Sequence, residues 1–96
     1  MDGETTDAHR ASLEIRNRLG LHARAAKLFV NTANGFEAEV TVAKDGQVVN
    51  GRSIMGVMML AAEQGSYIDV TTQGPQAAEA LQALRELVEA GFHEGM

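Results

Sequence analysis

Apolar and polar residues alternate through Ala11, Leu13 and Ile15 against Ser12, Glu14 and Arg16, which predicts a half-buried strand. From Ala23 the period lengthens. Ala26, Phe29, Val30 and Ala33 recur at helical spacing, predicting a helix over about 23 to 34 that closes at Asn34-Gly35, with the glycine free to take a positive φ. Alternation returns with Phe36, Ala38, Val40 and Val42, and Lys44-Asp45-Gly46 turns the chain into Gln47 to Asn50, so this stretch predicts a hairpin. Ser53 to Ala62 is apolar almost all round. Its methionines and alanines favour a short helix over a strand, Ser53 is a good N-cap, and Gly56 weakens the helix by about 1 kcal/mol relative to alanine. Tyr67 to Thr71 alternates as a further strand. Gly74-Pro75 then predicts the opening of a last helix, with proline in its first turn, a core face of Ala77, Ala80, Leu81, Leu84, Leu87 and Val88, and a stop at Gly91.

The order strand, helix, strand, strand, short helix, strand, helix fits an α+β open-faced sandwich, with three helices on one face of a four-stranded, largely antiparallel sheet. Residues 1–10 lack periodicity and read as a disordered tail, 11–91 as a single domain, and 92–96 as a second tail.

Composition narrows the function classes. Cysteine is absent, so neither disulfides nor thiolate metal sites hold the fold. No apolar run approaches the ~20 residues of a membrane span, and the acidic start is unlike a secretory signal, so a cytoplasmic protein without membrane insertion is expected. Thirteen acidic against eight basic residues give a net charge of -5, which disfavours nucleic acid as a partner. Arg16, Arg18, Arg24 and Lys27 reverse that sign locally, around His22.

The segment Asn17-Arg18-Leu19-Gly20-Leu21-His22-Ala23-Arg24-Ala25-Ala26 places this imidazole where a glycine-bearing loop becomes a helix. Helix starts carry unpaired N–H groups and partial positive charge, so they favour a neutral ring before reaction and a phosphate dianion after it. Arg24 adds a permanently charged donor fork, and Gly20 lets the loop turn sharply enough to present the ring.

Gly-Leu-His-Ala-Arg followed by an alanine-rich helix, about thirty residues before Ser-Ile-Met-Gly-Val-Met, resembles the HPr family, the histidine-containing phosphocarriers of the bacterial sugar phosphotransferase system. The resemblance spans roughly residues 11 to 90. It implies that Nδ1 of His22 is phosphorylated by Enzyme I from phosphoenolpyruvate and passes the group to EIIA components, with Arg24 stabilising the phosphate. It also implies that Ser53 is modified by HPr kinase/phosphorylase, that Ile54, Met55 and Met58 form a partner-docking patch, and that the protein is a monomer. Family members usually carry proline after the arginine. Ala25 stands there instead, which loosens the first helical turn yet restores one backbone N–H.

On this reading the chain is a stoichiometric carrier and a substrate of phosphotransferases, with neither metal nor cofactor. Glu37 and Glu39 read as a solvated strand face, His9 and His93 offer no metal-ligand spacing, and the glycines form no nucleotide loop. The alternatives are an HPr-like regulatory or nitrogen-branch protein that acts mainly through partner binding, and a small-molecule-binding sandwich. The latter would need a concave apolar pocket that a chain with four aromatics has little volume to build.

Overall fold

The computed structural model describes residues 8–94. Its elements in chain order are β1 (Ala8–Glu14), α1 (Ala23–Ala33), β2 (Glu39–Lys44), β3 (Gln47–Asn50), α2 (Ile54–Met59), β4 (Tyr67–Gln73), α3 (Ala77–Glu89) and a 3-10 turn (Gly91–His93). The strands pair antiparallel in the order β1-β4-β2-β3, so the expected α+β open-faced sandwich is the observed fold.

Alternation along each strand decides which face is covered. Leu13 lies opposite Ile68, Val70 lies opposite both Ala11 and Val42, and Val40 lies opposite Thr72. These residues form one apolar face against the inward stripes of the helices. Ala25, Ala26, Phe29, Val30 and Ala33 supply the stripe of α1, and all six residues expected on the core face of α3 are buried. Burying such side chains contributes roughly 1.5–3 kcal/mol each for the larger ones. The β2–β3 hairpin turns on Asp45 (φ 51) and Gly46 (φ 84), the paired positive dihedrals of a type I′ turn, whose twist matches that of the strands. Thr72, fully buried, donates from Oγ1 to the Ala77 carbonyl at 2.7 Å and ties the end of β4 to the start of α3.

Four local expectations are corrected. β1 begins at Ala8 and not at 11, with His9 opposite Thr72 and Arg10 opposite Thr71; residues 1–7 of the expected tail lie outside the described residues. Polar, exposed side chains gave no alternation there, yet β4 is long enough to pair with their backbone. Helix α1 does not end on a left-handed glycine. Asn34 stays helical (φ -71), and Gly35 N–H bonds Thr32 O, so the last turn tightens toward 3-10 geometry. Pro75 precedes α3, and Gln76 at the N-cap position makes no capping bond with its side chain; the bond from Ala77 N–H to Gly74 O makes this segment a turn before the helix.

The fourth correction concerns the C-terminus. Gly91, Phe92 and His93 are all left-handed (φ 62, 55 and 60), and the chain folds back so that Phe92 enters the core at 1% exposure. Left-handed backbone costs roughly 1–2 kcal/mol per non-glycine residue, and burial of a large aromatic offsets it. The tail expected over 92–96 is therefore ordered at least to Glu94. Residues 95–96 lie outside the described residues.

Candidate functional site

His22 is the N-cap of α1. Its backbone is extended (φ -74, ψ -179), its carbonyl accepts the first helical bond from Ala26 N–H, and its Nδ1 accepts from Arg24 N–H at 3.3 Å. The loop that delivers it is fixed from two sides. Gly20 is left-handed (φ 67), and a Cβ on it would lie 2.3 Å from the Ala62 carbonyl oxygen, so only glycine fits. Leu21 N–H donates to that same carbonyl at 2.9 Å and pins the loop to the chain just beyond α2.

The other ring nitrogen faces Glu94, 72 positions away. Nε2 and Oε2 are 2.6 Å apart, while Oε1 of the same carboxylate accepts from Asn17 Nδ2 at 3.0 Å. Asn17 is fully buried and also donates to the Gly20 carbonyl at 2.8 Å, so one side chain braces both the loop and the carboxylate. Burial works to raise the Glu94 carboxyl. The hydrogen bonds from Asn17 and His22 and the charges of His22 and Arg24 outweigh it and hold the group below its ordinary value. An ionised carboxylate only accepts, so the proton between the two groups belongs to Nε2, and the lone pair is left on Nδ1. His22 keeps 27% of its side chain exposed, enough for an incoming group to reach it.

Arg24 is exposed on the first turn of α1, close enough for its charge to act on Glu94. Ala25, fully buried, follows as the third helical residue, and its N–H is one of the first-turn donors that have no intrahelical acceptor. Arg16, Arg18 and Lys27 are likewise exposed.

Ser53 caps α2, accepting at Oγ from Gly56 N–H at 3.1 Å. Val57 and Leu60 point into the core, which leaves Ile54, Met55 and Met58 exposed. Met59 and Leu19, 63% and 71% exposed, extend the same kind of surface, and neither stood out in the sequence. Helical spacing of Val57 and Leu60 is the signal that could have turned Met59 outward. An open groove of about 580 Å³ runs between the two regions, lined by Arg18, Leu19, His22, Met58 and Glu63. His22 and the methionine surface are thus parts of one face. Glu37 and Glu39 are both exposed, but only Glu39 lies on a strand face; β2 begins there and not at Phe36, and Glu37 sits in the bend before it.

Sequence reasoning also missed Asn17 and Glu94. Asn17 carries no motif of its own, and Glu94 falls in the expected tail; the aromatic Phe92 just past the Gly91 stop was the available hint that the chain turns back.

Comparison with known proteins gives a concordant result. The family description "PTS HPr component phosphorylation site" matches residues 9–90. The chain is 51% identical over 86 residues to the phosphocarrier protein HPr of Neisseria meningitidis, across 90% of this chain and 97% of that protein. Among solved structures, HPr-C-His from Thermoanaerobacter tengcongensis superposes with a TM-score of 0.88 at 42% identity, covering 92% of this chain and 99% of the other. The phosphocarrier protein HPr of Bacillus anthracis gives 0.82 at 45% identity, covering 85% and 98%.

Proposed function

Because the chain belongs to the HPr family of phosphotransferase-system phosphocarriers, we propose that Nδ1 of His22 accepts a phosphoryl group from Enzyme I, charged by phosphoenolpyruvate, and delivers it to EIIA components. The observation that carries this reading is the aim of Nδ1. Its lone pair meets the Arg24 N–H in the first turn of α1, so a phosphate formed there enters the field of the helix start. Arg24 supplies charge beside the phosphate, and the N–H restored by Ala25 adds a donor where proline would have none. The protein is a carrier and a substrate, acting as a cytoplasmic monomer, and the chemistry of the donor belongs to Enzyme I.

Ile54, Met55 and Met58, with Met59 and Leu19, form the surface on which these partners dock, since adaptable methionines exposed beside the reacting group suit a face that must fit several proteins in turn. Ser53, between that surface and the core, is the site modified by HPr kinase/phosphorylase. A phosphate on it lays about two negative charges beside the docking methionines and weakens association.

Incubation with Enzyme I and phosphoenolpyruvate, followed by intact-mass measurement under conditions that preserve phosphohistidine, is expected to show one acid-labile phosphate that maps to His22. His22→Ala abolishes it. Label persisting in that variant overturns the assignment.

A further inference from the structure

Glu94 stands on the far side of the ring from Nδ1, holding the nitrogen that does not react. We propose that Glu94, braced by Asn17, is a positioning residue for phosphoryl transfer: its carboxylate fixes His22 as the Nε2–H tautomer and balances the positive charge the ring acquires as phosphate bonds to Nδ1. The proposal rests on His22 being the phosphoryl acceptor.

Three features of the molecule support it. The 2.6 Å contact is in the range of a charge-assisted hydrogen bond, and it is made by a side chain that is itself only 13% exposed. Asn17 Nδ2 occupies the other carboxylate oxygen, so Glu94 cannot swing away without leaving a buried amide N–H with one bond fewer. Asn17 Oδ1, in turn, is buried with no hydrogen-bond partner among the described residues. A buried orphan oxygen is a cost to folding, so this asparagine is better explained by the two groups it holds in place than by the stability it adds.

The electron count follows from the tautomer. The Nδ1 lone pair forms the N–P bond while the donor's bond to phosphorus breaks and its electron pair stays with the donor. The ring becomes cationic, its proton remains on Nε2 against the carboxylate, and no proton has to leave. Onward transfer reverses these changes. Glu94 therefore interacts more strongly with the phosphorylated ring and the path to it than with the neutral ring, the condition under which an interaction changes a rate.

The test compares the full chain with E94A and E94Q, reading the ring ¹⁵N chemical shifts of unphosphorylated, neutral His22 and the initial rate of phosphorylation by Enzyme I and phosphoenolpyruvate. The wild-type protein is expected to show the Nε2–H tautomer alone. In E94A the two tautomers mix and the rate falls about tenfold. E94Q keeps the tautomer through its amide oxygen but lacks the charge, so its rate falls between the two. An unchanged tautomer or an unchanged rate in E94A overturns the proposal. Phosphate mapping elsewhere than His22 in the wild-type protein would instead remove the carrier reading on which the proposal rests.

Discussion

His22 and Ser53 occupy the same local position, an extended residue whose side chain caps a helix, yet they are held in place in opposite ways. Ser53 is completed by its own neighbourhood: its Oγ bonds Gly56 N–H three residues on, and nothing distant is required. His22 makes the weaker cap, at 3.3 Å, and its ring is oriented mainly by Glu94 and Asn17, from the far end of the chain and from the preceding loop. A serine that only has to cap, or be modified, needs an address. A histidine that has to react needs its two nitrogens told apart, and helix geometry alone does that poorly.

The comparison predicts that damage at the C-terminus reaches one region and spares the other. Phe92→Ala removes a fully buried aromatic and should cost about 3–5 kcal/mol in urea unfolding. With the turn loosened, the His22 tautomers should mix while amide protection within α2 stays native. Equal loss in both regions would show that they are one cooperative unit.

Ser53→Asp tests the opposite direction. A carboxylate beside Met55 and Met58 must be desolvated when a partner docks, so phosphorylation of His22 should slow by about fivefold, near 1 kcal/mol, with His22 ring shifts unaltered. Equal rates in the two proteins would separate the serine from the docking face. Ser53→Ala is gentler. It removes one N-cap bond and should lower stability by about 1 kcal/mol without slowing the labelling.

The smallest expected effect is acid dependence. The Glu94 carboxyl lies below its ordinary value of 4.5 in the fold, so its contribution to stability is fully present above that value and fades as pH falls through the lowered one. Stability measured against pH in E94Q should therefore show a shallower acid-side decline than in wild type. Identical slopes would mean that the Asn17–Glu94–His22 network adds nothing to folding.

Where alternation or helical spacing is sustained, element type and core face are legible in the order of residues alone. The whole inward stripe of α3, the Asp45-Gly46 turn and the cap at Ser53 are examples. The ends are not legible in this way. His9 and Arg10 pair with β4 through backbone groups that every residue carries, so their side chains hold no record of it. Phe92 reads as part of a tail because a single aromatic has no period, and its left-handed backbone is offset only where the ring packs into the core.

The elements, the position of His22 at a helix start, the glycine before it and the Ser53 cap could be read from the order of residues, because each rests on interactions within a few residues or on a repeating pattern; a docking patch at Ile54, Met55 and Met58 was implied only by the family resemblance. The strand order β1-β4-β2-β3, the sharing of one groove by His22 and Met58, and the meeting of Asn17, His22 and Glu94 depend on how the folded chain packs. Contacts between residues tens of positions apart form only once the core has closed. Which carboxylate then faces which ring nitrogen depends on how the whole chain packs.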